Sequence, residues 1–309
     1  MMVNIMISKK AIVAMIALGP LLFTACDPDN FSQVVDIDIP EHDPKLVLNA
    51  RFDDQAHSLS VLLSNSLGIL DTAQYSLFPQ ATVRLFADDV LAGEFQFDPN
   101  ASKFITLLDV PLSNSGGLYR LEASTPGFGP VFAEQRMPVP VEIESVVLER
   151  DGAVSEEGEK ADEIKIQFTD PAGQDNYYAV RVEYLARTVV QPGDTVEYSY
   201  PLYTSTLDQV VRSGNEFDHL FPGQSFDGTR YTLSLYSEGG IDFDDPNGRV
   251  KAYLYSLTRE GYLYDLSLSQ YFDTVDNPFA EPATVFSNIE GGYGAFTLRA
   301  IAEKEVPVQ

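Results

Sequence analysis

The most distinctive reactive residue in this sequence is its single cysteine, Cys26, in the stretch LLFTACDPDN. Two lysines, Lys9–Lys10, precede an apolar run from Ala11 to Phe23, and two small residues then lead to the cysteine. This order of segments is typical of an export signal, and a cysteine directly after the small residues is the bacterial lipoprotein pattern. We therefore predict that residues 1–25 are a lipoprotein signal peptide and that the Cys26 thiol is acylated. The alternative is an ordinary secretory signal followed by a stray or buried cysteine.

Acylation of Cys26 would determine how the chain reaches a membrane. The apolar run is shorter than the roughly 20 residues that cross a bilayer as a helix. Stable anchoring needs more than one acyl chain, and a lipoprotein cysteine carries several, so we expect membrane attachment through this lipid. Because the thiol is then blocked, no disulfide can form, and the fold must be stabilised by burial and hydrogen bonding.

The sequence contains three histidines, His42, His57 and His219. Metal sites need imidazoles or thiolates close together, and these histidines have no metal-binding spacing, so we expect ordinary surface residues. The nearest approach to a nucleophile elbow, Gly223-Gln-Ser225, lacks the final glycine. Paired carboxylates could hydrolyse glycosides, but among 46 acidic residues such pairs carry no specificity. We predict that the protein is not an enzyme and has no catalytic residues and no cofactor.

One acidic segment, Ile241–Gly248, concentrates the oxygen ligands that calcium prefers. The candidate ligands in it are Asp242, Asp244, Asp245 and Asn247. Alignment with an EF-hand loop fails, because Phe243 and Leu254 would stand where that loop needs acidic residues. The Asp-Pro-Asn-Gly stretch is also typical of a hairpin turn, so we favour a turn over a calcium site.

The charge balance excludes whole classes of partner. The chain carries 20 basic and 46 acidic residues, a formal net charge of −26, and cleavage of the signal would make it more negative. The adjacent basic residues Lys9–Lys10 lie in the signal, and no concentrated basic patch follows. We therefore exclude nucleic-acid binding and a grip on anionic lipid through basic side chains. Residues 26–43 are acidic with little periodicity, which predicts a solvated tether.

The sequence pattern in the first half of the mature chain predicts β-structure. Runs with alternating or continuous apolar residues are separated by turn signals about every ten residues, as in a β-sandwich. The predicted strands are Lys45–Ala50, Ser58–Ser64, Thr82–Phe86, Leu91–Phe97 and Leu118–Ser124. Asp88-Asp89 marks a hairpin turn between two of them. We predict an all-β domain at residues 44–138, with an antiparallel sandwich of the immunoglobulin-like or prealbumin-like kind.

A second β-rich domain, also an antiparallel sandwich of the immunoglobulin-like or prealbumin-like kind, is predicted at residues 141–309, after the proline-containing segment Met137–Val141. Its predicted strands are Ile143–Arg150, Glu163–Phe168, Tyr177–Ala186, Val196–Tyr200, Tyr231–Tyr236 and Val250–Tyr255. A charged loop is expected at 151–161, between the first two of these strands. One helix is predicted at residues 258–272, where Thr258 can cap the N-terminus and Glu260 complements the helix dipole.

Several tyrosines have two possible interpretations. Tyr177, Tyr178, Tyr198, Tyr200 and Tyr203 could form a binding surface, or they could fill a β core as strand residues. We favour the core, and the residues that bind a ligand therefore stay unassigned.

Nine short segments give the chain a resemblance to a known family. They are Val35–Pro40, Pro44–Leu48, Gly116–Leu121, Met137–Pro138, Asp170–Pro171, Asn176–Tyr178, Phe226–Gly228, Asn277–Pro282 and Phe286–Gly294. Together they resemble Bacteroidota outer-membrane lipoproteins known only as a domain of unknown function (family 4249), over roughly residues 33–300. In the last segment, Gly291, Gly292 and Gly294 permit a bulge or tight turn before the final strand.

The resemblance implies a location and a partner. It implies an outer-membrane lipoprotein whose genes often lie beside those of TonB-dependent transporters, and it brings no catalytic residues. In such lipoproteins an acidic segment after the cysteine can direct export, so we favour the cell surface over the periplasmic face. We expect a non-catalytic binding or accessory protein acting alongside a TonB-dependent barrel in nutrient uptake. A structural or adhesive surface protein is the alternative, and an envelope hydrolase is a less favoured one.

Overall fold

The computed structural model describes residues 41–308, apart from 69, 73, 114–115, 192–193, 214–216, 238, 276, 278 and 282. The predicted signal peptide at 1–25, the lipidation site Cys26 and most of the tether at 26–43 lie outside the described residues. Within the described part there is no helix long and apolar enough to span a membrane.

The described residues form sixteen strands and one α-helix, so the mostly-β prediction is confirmed. The strands are β1 (Leu46–Asp53), β2 (Ser58–Asn65), β3 (Thr82–Ala87), β4 (Val90–Asp98), β5 (Lys103–Leu107), β6 (Leu118–Ser124), β7 (Val131–Arg136), β8 (Ile143–Val154), β9 (Lys160–Thr169), β10 (Tyr177–Gln191), β11 (Asp194–Pro201), β12 (Arg212–Ser213), β13 (His219–Pro222), β14 (Arg230–Ser237), β15 (Arg249–Leu257) and β16 (Tyr293–Pro307). The helix, α1, is Arg259–Val275, and Gly223–Phe226 form a short 3₁₀ turn.

Thirteen strands belong to one long sheet. Twelve of them follow the order β12-β13-β10-β15-β16-β1-β2-β5-β4-β3-β6-β7, and β11 pairs with β10 beside this path. At its centre β1 pairs in parallel with β16, from Val47 opposite Tyr293 to Asp53 opposite Arg299. The other three strands form a separate sheet in the order β14-β9-β8.

The first core forms where the long sheet folds over on itself. Strand β4 pairs with β3 along its first part and with β5 along its last part, so it belongs to both layers. Because side chains alternate across a strand, β1 places Leu46, Leu48, Ala50 and Phe52 inside, and all four are buried. Strands β2, β3, β5, β6, β7 and β16 add their own inward-facing residues to this sandwich-like core.

The second core lies between the three-stranded sheet and the β10–β15 part of the long sheet. Branched residues of β9 and β14 face those of β10 and β15, and all of them are fully or almost fully buried. Its centre is aromatic: the rings of Phe168, Tyr178, Phe221, Phe226 and Tyr231 contact one another at centroid distances of 4.0–6.3 Å.

Helix α1 packs on the opposite face of the β10–β15 layer. Thr258 caps it, since its Oγ1 accepts a hydrogen bond from the N–H of Gly261 at 3.1 Å. Tyr262, Leu263 and Leu266 bury their side chains against the sheet. The helix predicted at 258–272 is confirmed, and it continues to Val275.

Two predicted turns differ from the observed ones. The charged loop expected at 151–161 is shorter, because β8 continues to Val154 through an irregular register, in which Asp151 has a φ of +53°. The hairpin turn expected at 241–248 connects two different sheets, since β14 pairs with β9 whereas β15 pairs with β10 and β16. By contrast, Asp88 and Asp89, with φ of +45° and +64°, form the hairpin turn that was predicted there.

The division into domains at 44–138 and 141–309 stays a prediction. Residues 43–309 group as one compact unit. The final strand contributes Phe296 and Leu298 to the first core and Val306 to the edge of the second. Any folding unit that ended at residue 138 would therefore lack part of the first core.

Candidate functional site

A cleft lined largely by aromatic and apolar residues lies at the end of strand β11. It has a volume of about 480 Å³ and is lined by Tyr200, Pro201, Leu202, Tyr203, Phe217, Gly239 and Gly240. Leu202 is buried, whereas Tyr203 is 63% exposed and Tyr200 is 38% exposed. None of these lining residues is charged. We refer to this site as the aromatic cleft.

The β10–β11 hairpin explains why these tyrosines are exposed. Among the described strands, β11 pairs with β10 alone, so none of them lies on its outer side. Alternation along the strand places Val196, Tyr198 and Tyr200 on one face, and all three are exposed. The rings of Tyr198 and Tyr200 stack at 6.5 Å with an interplanar angle of 21°. The strand therefore presents a row of aromatic surface that leads to the cleft.

Tyr200 is held in place by contacts on two sides. Its ring lies 5.4 Å from the buried ring of Tyr184, and its hydroxyl donates a hydrogen bond to the carbonyl oxygen of Gly240 at 2.9 Å. Burial raises the pKa of Tyr200 above its ordinary value, so the hydroxyl remains a donor. Gly240 has a φ of +95°, and a Cβ there would lie 2.9 Å from Leu202. Glycine at this position therefore keeps the cleft open.

The aromatic cleft is suited to stacking rather than to acid–base chemistry. The ring of Tyr203 lies 4.8 Å from that of Phe217, and together with Tyr200 they offer flat apolar surfaces with phenol hydroxyls at the edge. Such surfaces bind the C–H face of a sugar ring or a planar group of a ligand. Since no lining side chain is charged, a neutral ligand fits the cleft best.

His219 lies close to the cleft and is not the surface residue that the sequence predicts. It begins β13, is partly buried, and its Nε2 lies 2.8 Å from the hydroxyl oxygen of Thr204. Next to it, the buried Asp218 accepts two hydrogen bonds from Arg181, at 2.7 and 2.8 Å. Burial lowers the pKa of His219, and the nearby Asp218 opposes this shift. The exposed His42 and His57 match the expectation.

Acidification is expected to destabilise the protein through His219. Its pKa in the fold is lower than the ordinary value near 6.5, so the unfolded chain takes up a proton that the folded chain resists. The contribution of neutral His219 to the free energy of unfolding is therefore fully present above about pH 6.5. It is lost as the pH falls through the lower pKa that His219 has in the folded protein. We expect His219→Gln to flatten the dependence of the unfolding free energy on pH between 7 and 5. Urea denaturation at pH 7 and at pH 5 measures the change in unfolding free energy, and His57→Gln, at an exposed histidine, is the control. If this change is the same for wild type and His219→Gln, the prediction is wrong.

A second exposed apolar feature lies at the C-terminal end of α1. Tyr271, Phe272 and Val275 are exposed there, at 38%, 64% and 50%, and Phe279 in the following turn is 95% exposed. The turn is close to the helix end, because the N–H of Asn277 donates to the carbonyl of Thr274 at 3.0 Å. We call these four residues the helix-end surface. Large apolar side chains grouped in water are typical of contact sites for other molecules.

The calcium candidates occupy a loop that is organised by its own hydrogen bonds. Side-chain oxygens of Asp242 and Asp245 accept from the N–H groups of Asp244 and Asn247, at 3.0 and 2.9 Å. Asp245 also accepts from the hydroxyl of Tyr184, and Asp244 pairs with Arg150. Within the described ranges, no group of three or more His, Cys, Asp or Glu is placed to hold a metal ion. The calcium site stays a weak prediction.

Four of the segments that carry the family resemblance have structural roles. Asn176, Tyr178 and Gly228 all donate hydrogen bonds to the buried carboxylate of Asp170. Gly292 and Gly294 allow β16 to lie against β1, because a Cβ at either position would come within 2.4 Å of a β1 carbonyl oxygen. Neither group is available to bind a ligand.

The tyrosines therefore divide between the two interpretations. Tyr178 is fully buried, and Tyr177 packs against Tyr262 of α1 at 4.9 Å, so the core interpretation holds for this pair. For Tyr198, Tyr200 and Tyr203 it is wrong, since all three are exposed. Phe217 was not considered from the sequence, because it belongs to no strand pattern.

Comparison with protein families identifies a match over most of the chain. A family model described as "Domain of unknown function (DUF4249)" matches residues 33–305. No curated protein matches the chain.

Proposed function

This chain belongs to the DUF4249 family, and we propose that it is a lipid-anchored binding protein of the cell envelope. In this proposal it acts alongside a TonB-dependent outer-membrane transporter and holds a nutrient for uptake. Acylated Cys26 attaches it to the outer membrane, with the cell surface favoured over the periplasmic face. The protein performs no catalysis in this role.

The aromatic cleft is the observation that carries the binding role. A protein that only fills space or adheres to a surface has no need to hold Tyr200 by a hydrogen bond while leaving Tyr203 exposed. Holding rings rigid before a ligand arrives lowers the entropic cost of binding. The helix-end surface alone would serve a structural or adhesive protein equally well, so the cleft is what favours a binding protein.

The helix-end surface supports the partner role. Aromatic residues are enriched in the centres of protein interfaces, and Phe272 and Phe279 expose large areas at one helix end. The acidic residues Asp273 and Glu281 lie in the same segment, and the chain is strongly acidic overall. A partner with an apolar patch and basic surroundings would be complementary to this surface.

Recovery of partners from gently solubilised outer membrane tests the proposal. We expect a C-terminally tagged chain to recover a transporter barrel in near-stoichiometric amount, and the unanchored Cys26→Ala chain to recover much less. Phe272→Asp combined with Phe279→Asp is expected to reduce recovery at least about tenfold, because interface aromatics often contribute 2 kcal/mol or more each.

The control for this experiment is Leu107→Asp combined with Val110→Asp. Both residues are exposed and apolar, at 77% and 73%, but they lie outside the helix-end surface. If the chain is recovered alone, the proposed partnership is wrong. If both double variants recover the barrel as well as wild type does, the helix-end surface is not where the barrel binds.

A further inference from the structure

A polar cavity on the outer face of the long sheet is independent of the aromatic cleft. It has a volume of about 370 Å³ and lies over strands β16, β1, β2 and β5, with α1 contributing one residue. Its lining residues are Asn49, Ala50, Arg51, Ser60, Leu62, Lys103, Tyr264, Ala295 and Thr297. The two sites share no lining residue.

Strand pairing brings the polar residues of this cavity together. Asn49 and Arg51 alternate with the inward-facing Leu48, Ala50 and Phe52, so they point away from the first core. Asn49 pairs with Leu62 and Ala295, and Arg51 pairs with Thr297. Since Ser60 is opposite Ile105, Lys103 lies two residues further along β5, beside Leu62. Four neighbouring strands thus contribute to one polar surface.

The hydrogen-bonding groups of the cavity are mainly donors. Asn49 uses its side-chain oxygen to accept from the N–H of Ala295 at 3.1 Å, which leaves its NH₂ group as a donor. Ser60 contributes a hydroxyl, and Tyr264 a phenol whose pKa is raised by burial, so that it remains protonated. Lys103 and Arg51 contribute positive charge. No carboxylate is among the lining residues.

Of the two cations, Arg51 already has an acidic partner, whereas Lys103 has none among the described residues. Asp265 on α1 pairs with Arg51. Asp98, which is opposite Lys103 across the β4–β5 pair, accepts instead from the N–H of Asn100 at 2.8 Å. Among the described residues, the Lys103 ammonium group has no ion-pair or hydrogen-bond partner. The cavity therefore contains an unpaired ammonium group and several unused hydrogen-bond donors. A ligand with acceptor atoms and a negative charge would complement it.

We propose that this cavity binds the carboxylate of a small organic acid, with Lys103 as the main charged contact and Asn49 and Ser60 as hydrogen-bond donors. An ionised carboxylate accepts about four hydrogen bonds, which matches the donors that converge here. Charge-assisted hydrogen bonds are roughly twice as strong as neutral ones. The apolar surfaces of Leu62 and Ala295 would contact the rest of the ligand.

Titration calorimetry with paired ligands tests this site. The probes are acetate, benzoate and glucuronate, each compared with its neutral counterpart: acetamide, benzamide and glucose. We expect at least one carboxylate to bind more tightly than its neutral partner. Lys103→Glu is expected to weaken that binding at least about tenfold, because the charge-assisted contact to the ligand is lost and the new carboxylate also repels the ligand.

The matched control is Lys160→Glu, which makes the same change in net charge at an exposed lysine on β9. Because Lys103 is exposed and belongs to no core, we expect Lys103→Glu to fold normally, as urea denaturation will show. The proposal is wrong if no carboxylate binds more tightly than its neutral counterpart, or if both lysine variants weaken binding equally. Tyr203→Ala in the aromatic cleft is expected to leave carboxylate binding unchanged.

Discussion

Replacement of Gly294 by alanine is expected to lower the free energy of unfolding by at least about 4 kcal/mol, which is the range of exceptional single substitutions. Gly294 has a φ of +105°, a conformation that L-residues avoid. A Cβ at this position would lie 2.2 Å from the carbonyl oxygen of Leu48 and 2.8 Å from its carbon. Backbone atoms in the middle of a sheet cannot move aside, so β1 and β16 would have to separate.

Two other glycines distinguish the two causes of this loss, which are the positive φ and the overlap of a Cβ with the backbone of β1. Gly127 also has a positive φ, +89°, but a Cβ there would meet nothing within 4 Å, so Gly127→Ala is expected to cost only about 1–2 kcal/mol of backbone strain. Gly129 has open space and no positive φ, so Gly129→Ala should be close to neutral. Urea denaturation followed by circular dichroism measures all three variants. If Gly294→Ala costs no more than Gly127→Ala, the close approach of β1 and β16 is not what requires glycine.

The role of Gly294 shows that local sequence patterns can predict a turn but not which strands pair in the sheet. The sequence predicts a bulge or tight turn at Gly291–Gly294, because glycines before a strand usually serve that purpose. The structure adds a parallel pairing between strands that begin about 250 residues apart, at Leu46 and Tyr293. No periodicity in either strand encodes its partner, since alternation defines only which face is buried. The position of a strand within the sheet was therefore beyond sequence reasoning.

The same limit explains what was missed at the aromatic cleft. Tyr178 and Tyr200 both stand in alternating, tyrosine-rich runs, and the sequence favours a core position for both. Strand β10 has neighbours on both sides at Tyr178 and is covered by the three-stranded sheet, whereas β11 is an edge strand. Burial thus depends on strand order rather than on the residue type. Phe217 joins the cleft from a loop, where no pattern predicts its position.

Asp170 is expected to stabilise the second core almost as strongly as Gly294 stabilises the sheet. It is 1% exposed, and its Oδ1 accepts hydrogen bonds from the hydroxyl of Tyr178 at 2.5 Å and from the side-chain NH₂ of Asn176 at 3.1 Å. Its Oδ2 lies 3.4 Å from the N–H of Gly228. Asp170→Ala would leave the buried Tyr178 hydroxyl without its acceptor and would remove one of the two acceptors of the Asn176 NH₂ group, so we expect a loss of about 3–5 kcal/mol in unfolding free energy.

A double-mutant cycle with Tyr178→Phe tests whether this loss comes from the network. Burial, together with the nearby carboxylate, raises the pKa of the Tyr178 phenol, so Tyr178 acts as a neutral donor to Asp170. Tyr178→Phe alone removes one donor and is expected to cost about 1–2 kcal/mol. The double variant should cost less than the sum of the two single losses by at least about 1 kcal/mol, because residues that share a hydrogen bond are coupled.

Asp227→Ala is the control, because it removes an exposed carboxylate that bonds to a turn and not the buried carboxylate of Asp170. Asp227 is exposed and accepts one hydrogen bond, from the N–H of Gly173 at 2.7 Å, so its removal should cost about 1 kcal/mol. The 3₁₀ turn supplies a further reason to expect the larger effect at Asp170. A Cβ at Gly223 would lie 2.7 Å from Asp170 Oδ1, so the carboxylate fills space that this turn leaves for it. If Asp170→Ala and Asp227→Ala cost the same, or if the losses at Asp170 and Tyr178 simply add, the network does not hold the second core together.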